Sequence, residues 1–104
     1  MGEKNDKLFK ENQNFKTKFG FLITEHRMIK DLTQEQLGEI VNLADNTIGE
    51  TERGNRNCHV YNFYLMIHAL NIPKEVVIDF LYNPSYLPEL VRDKLNQIKN
   101  EVNN

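Results

Sequence analysis

The sequence predicts an all-α chain of one small domain, and three observations carry that prediction. Between Leu32 and Gly54, LTQEQLGEIVNLADNTIGETERG reads as two short helices joined by a tight turn. Upstream, Phe15, Phe19, Leu22, Ile23 and Met28 recur at helical spacing. Downstream, Val60 to Leu70 carries no charged side chain apart from His68 when protonated, and Tyr61, Phe63, Tyr64, Met66, Ile67 and Leu70 cover nearly all its faces. A helix apolar all round belongs at the centre of a core.

Met1 to Asn14 is polar, with Lys4, Lys7 and Lys10 among asparagines and glutamates. It holds too little apolar surface to offset the entropy of ordering, so it is expected to be disordered or a frayed extension of the first helix. The first core helix starts at Phe15, and His26 and Arg27 lie near its end, where a cation meets the negative end of the helix dipole. Asp31 and Leu32 connect to a second helix of about Gln34 to Val41. Thr33 caps it, its hydroxyl accepting from an orphaned backbone N–H, and Gln36 three residues on completes a capping box. Leu37, Ile40 and Val41 share its inward face, and Glu35 and Glu39 point elsewhere. Gly38 also faces inward. Its missing side chain lets another helix cross closely, which offsets the ~1 kcal/mol that a mid-helix glycine costs against alanine.

Asn42, Leu43 and Ala44 form the turn: asparagine tolerates the left-handed conformation that ends a helix, and Leu43 plugs the corner. The third helix starts near Asp45, an acid suited to its first turn, and ends at Gly54, which can take positive φ. Ile48 faces inward with Thr47 and Thr51 beside it, and Asp45, Asn46, Gly49, Glu50 and Arg53 face out. Cys58 and His59 open the fourth helix, a partly buried thiol and a capping histidine. Asn71-Ile72-Pro73 ends that helix, with proline placed to start the next. The fifth, Lys74 to Leu81, turns Val76, Val77, Phe80 and Leu81 inward. Tyr82-Asn83-Pro84-Ser85 is a turn. Beyond it, Leu87, Leu90, Val91, Leu95, Ile98 and Val102 fall at three- or four-residue steps, a narrow apolar seam on a polar helix.

The ordered set Thr33-Gln34-x-x-Leu37-Gly38, then Leu43, then Thr47-Ile48-Gly49-x-x-Glu52-Arg53-Gly54 resembles the helix-turn-helix of the lambda-repressor-like, Cro or XRE family of DNA-binding domains. Phe19-Gly20 with Ile23 and Arg27 resembles the family's first helix. Val60, Phe63, Ile67, Ala69, Leu70 and Ile72 resemble its fourth helix and the turn after it. The resemblance covers about Phe15 to Leu81. It implies a five-helix lambda-repressor-like unit at 15–82, preceded by the polar segment 1–14 and followed by a C-terminal helix at 83–104. It also implies a sequence-specific transcriptional regulator that binds double-stranded DNA, a repressor being the simplest form for a chain of this size. The five-helix unit has its core without the last helix, so the seam must cover either its own domain or a second copy. The second gives a homodimer through Leu87, Leu90, Val91, Leu95 and Ile98, with recognition helices about one DNA turn, roughly 34 Å, apart on an inverted repeat.

If the third helix enters the major groove, Asp45, Asn46, Thr47 and Glu50 face base edges. Asn46 carries a donor and an acceptor on one amide and can pair with adenine N6 and N7. Asp45 and Glu50 can only accept, which suits cytosine N4 and repels phosphates; the family more often has glutamine, arginine, lysine or serine there. Gln34 at a helix start matches a family glutamine that contacts a phosphate, and its plain alternative is a solvated first-turn residue. Arg53, Asn55 and Arg56 form the most basic loop of the motif, for phosphate contact or simple solvation. Glu52 resembles a structural glutamate and is expected to pair with Arg27. The polar segment 1–14 has a further reading as a basic arm along DNA. DNA binding also predicts that Arg53, Arg56, Lys16 and Lys18 converge on the face that exposes Asn46.

Composition sets limits on this reading. The chain has 104 residues, 39% hydrophobic and 27% charged, ordinary for one modest core. No apolar run approaches the ~20 residues of a membrane span, and no signal-peptide core follows the polar start, so a cytoplasmic protein is expected. One cysteine excludes an internal disulfide, and scattered histidines make neither a metal site nor a cofactor site. No paired carboxylates, no nucleophile with a base and no phosphate-binding glycine loop point to an enzyme. Net charge is −2, and Thr24 to Asn57 holds four basic and seven acidic residues, a net −3. That balance keeps a second reading open: a helix-turn-helix protein that works through protein contacts, such as an antirepressor or inhibitor from a mobile element, with weak or no DNA binding.

Overall fold

Six α-helices follow one another in the computed structural model, which describes the backbone of residues 2–103 and the side chains of residues 10–101. They are α1 (Gly2–Ile29), α2 (Gln34–Val41), α3 (Asp45–Glu52), α4 (Val60–Leu70), α5 (Lys74–Leu81) and α6 (Glu89–Asn103), with a 3-10 turn at Pro84–Tyr86 before the last. No strand forms among the described residues, so the fold is the expected all-α helix-turn-helix unit with a C-terminal helix. The backbone of the polar start continues α1, the second of the two forms expected for it. The side chains of Lys4 and Lys7, on which the basic-arm reading rests, lie outside the described residues.

The core forms where the first four helices meet. Ile23 from α1, Leu37 from α2, Ile48 from α3, and Met66 and Leu70 from α4 are fully enclosed. Truncating one of them to alanine costs about 2–5 kcal/mol, because the lost transfer energy adds to the cavity left behind. α5 and the 3-10 turn join through aromatic rings: Phe15 lies 4.8 Å from Phe80 between centroids and meets Tyr86 edge-on at 5.6 Å. Phe63 stands edge-on to Phe19 at 4.9 Å and ties α4 to α1. No described helix is long and apolar enough to cross a membrane.

Several residues expected inside are exposed, and helix geometry gives the reason. On α2, Leu37, Val41 and Gly38 lie within an arc of about 100°, and Ile40 falls about 60° outside it, onto solvent. Met28 is about 180° round α1 from the buried Phe19. Leu81 stands exposed at the end of α5. α4 is not enclosed on all sides. Tyr61 and Tyr64 point outward and stack at 6.0 Å, with Tyr64 set against His68 at 4.8 Å. His26, expected near the helix end beside Arg27, is buried, its Nδ1 donating to the Leu22 carbonyl at 2.8 Å.

α6 leaves the domain as a solvent-exposed rod. Leu90, Val91, Leu95 and Ile98 form its apolar stripe, and each is exposed among the described residues. Leu87 falls before α6, half-buried, with its carbonyl accepting from Arg92 Nη2 at 3.0 Å. The side chain of Val102 is outside the described residues.

Candidate nucleic-acid interface

The α2–α3 pair is built from short-range chemistry. Thr33 Oγ1 accepts from the Gln36 amide at 3.0 Å, and Gln36 Oε1 accepts from the Thr33 amide at 2.8 Å, closing the capping box. Asn42 takes the left-handed conformation at φ 58°, and the chain turns back so that the Leu43 amide bonds the Gly38 carbonyl at 2.8 Å. A side chain on Gly38 would lie 2.4 Å from the Leu43 carbonyl oxygen. The glycine therefore admits the backbone of the turn most closely, with the Asp45 amide that opens α3 next, 3.6 Å from such a Cβ.

α3 is gripped from behind. Ile48 enters the core, and the Thr51 hydroxyl donates to the Thr47 carbonyl at 2.8 Å. Gly20 on α1 runs so close that a Cβ there would lie 2.3 Å from the Glu52 carbonyl oxygen. Glu52 then anchors the end of the helix with its side chain. Arg27 Nε donates to its Oε2 at 2.6 Å and Arg27 Nη2 to its Oε1 at 3.0 Å, while Arg27 Nη1 reaches the Leu32 carbonyl at 2.7 Å. Hydrogen bonding to Glu52 holds the Arg27 guanidinium above its ordinary pKa, against the opposing effect of burial. Gln34 Nε2 donates to the same carboxylate at 2.9 Å. The glutamine expected at a phosphate is thus half-buried and bonded inward through its amide nitrogen.

The outer side of α3 exposes Asp45 and Asn46, with Thr47 and Glu50 half-buried. Arg53 Nη2 donates to Glu50 Oε1 at 2.7 Å. Hydrogen bonds from Arg53 first and Asn55 second hold the Glu50 carboxyl below the usual carboxylate range. Gly49 is not an outward residue. It is buried beneath Arg53 and Gln34, where a Cβ would lie 3.1 Å from Arg53 Nη1 and 3.3 Å from Gln34 Oε1 and would need those side-chain ends to shift slightly.

The basic loop that follows is fixed to α1 by contacts the sequence did not reveal. Gly54 takes φ 76° with its Cα against Thr17, and Gln13 Nε2 donates to its carbonyl at 2.9 Å. A glutamine in a polar helix carries no periodic signal, so this tie was not legible. Asn55 and Arg56 are exposed beyond it, and the Asn55 amide bonds the Glu50 carbonyl at 2.9 Å. Arg53 and Arg56 stand beside Glu50, and Lys16 lines one pocket together with Arg56. Lys18 does not join them; it lines a groove with Val76 and Asp79 of α5.

Charge is therefore segregated along the motif. Glu35, Glu39 and Asp45 line a polar groove at the turn, and the cations gather at the opposite end of α3. No cluster of three or more metal-ligating side chains occurs among the described residues.

No family model matches the chain, and no curated protein does. Among solved structures, it is similar to the crystal structure of the clp gene regulator ClgR from Corynebacterium glutamicum. The superposition has a TM-score of 0.59 at 20% identity and covers 81% of this chain and 88% of that one. At such low identity the likeness is one of fold.

Proposed function

We propose that this chain is a sequence-specific DNA-binding transcriptional regulator of the lambda-repressor-like class, acting in the cytoplasm as a homodimer and repressing by occupying an inverted-repeat operator. One observation carries the reading: α3 exposes Asp45 and Asn46 at its start, and the loop at its other end carries two cations, Arg53 and Arg56, against Glu50. The Arg53 bridge offsets the Glu50 charge where a phosphate backbone would repel it. Arg53, Asn55 and Arg56 set register on the phosphates, and Asn46 reads a base edge. Gln34 supports the motif from within by bonding Glu52, with Oε1 left beside Gly49. The uncovered stripe of α6 supports pairing of two copies, which sets two recognition helices on two half-sites.

The acidic groove of Glu35, Glu39 and Asp45 favours a second reading, in which the same fold contacts a basic surface of another protein. Selection from a randomised duplex pool with purified protein, at low salt and again near physiological ionic strength, separates the two. Enrichment of an inverted repeat supports the regulator, and the spacing of its halves reports the dimer. No enrichment at either salt defeats it in favour of a protein partner.

A further inference from the structure

Beside the Arg53–Asn57 loop, α1, α4 and α5 surround a pocket of about 130 Å³. Its walls are aromatic: Phe15, Phe19 and Phe63 line it, with Phe63 edge-on to Phe19. Phe19 is buried whereas Arg56 and Leu81 are exposed, so the pocket opens outward next to the loop. Two cationic side chains, Lys16 and Arg56, contribute to the lining, and no acidic one does among the described residues. An apolar cavity of comparable size, about 150 Å³, takes up benzene.

We propose that this pocket binds a small aromatic carboxylate. Its ring packs against the three phenylalanines, where edge-to-face contacts favour an aromatic over an aliphatic body of the same bulk. The carboxylate meets the Lys16 ammonium and the Arg56 guanidinium, the latter able to bond both oxygens. Occupancy engages Arg56, one of the phosphate contacts proposed above, so a bound acid weakens the grip on DNA. This regulatory half rests on the DNA-binding reading. The binding half does not.

Benzoate is the probe, titrated into the full 15N-labelled chain without DNA, with benzamide as its uncharged counterpart. Saturable shifts of the Phe15, Phe19, Phe63 and Cys58 amides are expected, several-fold tighter for benzoate than for benzamide. Arg56→Gln should weaken benzoate several-fold and benzamide much less, so that the preference for benzoate is lost, and Leu81→Trp at the exposed rim should block both. Absence of saturable shifts, shifts of the loop without the phenylalanines, or equal affinity for the two probes overturns the proposal. On a selected duplex, benzoate should reduce the affinity of the wild-type chain and not that of Arg56→Gln. If benzoate binds and the duplex is held as tightly as before, the regulatory half fails while the site stands. A chain that selects no duplex yet binds benzoate loses the DNA reading and keeps the site.

Discussion

Arg27 at the end of α1 and Glu52 at the end of α3 meet in a two-pronged ion pair, with the arginine side chain 15% exposed and the glutamate 5%. Removing one partner strands the other charge away from water. Glu52→Ala is expected to cost about 3 kcal/mol, near the lower bound for broken buried pairs because Arg27 retains some solvent contact. Replacing both by apolar residues of similar volume, Arg27→Met with Glu52→Leu, should recover only part of that loss, because the Gln34 amide and the Leu32 carbonyl lose their partners. A denaturant double-mutant cycle measures the coupling, and additive single losses would show that the pair does not hold the two helices together.

Two glycines, Gly20 on α1 and Gly49 on α3, should respond unequally to alanine. At Gly20 the new Cβ would meet backbone oxygens of Glu52 and Thr51 at 2.3 and 2.8 Å, so α1 and α3 must separate. A loss of about 3 kcal/mol or more is expected. At Gly49 the nearest atoms are ends of the flexible Arg53 and Gln34 side chains, which can move aside. There the gain in helix propensity, up to ~1 kcal/mol, offsets the displacement and stability should hardly change. Urea unfolding of both variants checks the contrast.

Burial pushes the Cys58 thiol up to about 11 from an ordinary 9.0, with Arg56 opposing. The folded state thus favours the protonated thiol. Its contribution to stability is complete below pH 9.0 and is lost as pH rises to about 11, where the unfolded chain ionises first. Alkylation by iodoacetamide should stay slow at pH 8 and accelerate only toward that upper value. Cys58→Ser should show a shallower fall in stability over the same interval than the wild-type chain.

On DNA, Asn46→Ala should relax preference at a single base position by ~1–3 kcal/mol, whereas Arg53→Gln should weaken all sequences alike and lower the salt slope by about one. Competition binding at several ionic strengths measures both. An unchanged base preference in Asn46→Ala would remove that residue as a reader.

The stripe on α6 predicts association. Leu95→Asp, or truncation after Pro88, which keeps Tyr86 on Phe15, should yield monomers by sedimentation while α1 to α5 retain their helical signal. A dimer that persists in the truncated chain would move the interface onto the five-helix unit.

Much of the fold was legible because it rests on local rules. The Thr33–Gln36 box, the left-handed Asn42 and the start of α5 at Pro73 each follow from one or two residues. The Arg27–Glu52 pair was expected from the family resemblance. Periodicity, by contrast, assigns a face without saying how wide the neighbouring helices are. Ile40, Met28, Leu81, Tyr61 and Tyr64 sit beyond the covered arc for that reason. Gly49 and Gln34 could not be read from sequence at all, since their burial comes from side chains folding across from Arg53 and Glu52. The tie from Gln13 to Gly54 spans 41 residues and was equally hidden.

α3 divides its labour by register. Ile48, Thr51 and Glu52 face the interior and hold the helix in place, and Asp45 and Asn46 take no part in that hold. The reading edge is therefore interchangeable in the manner of a key blank. New polar residues at 45 and 46 can change what the helix recognises while the lock that carries it stays the same, so specificity can drift or be redesigned at the small cost of the Asp45 charge in the first turn.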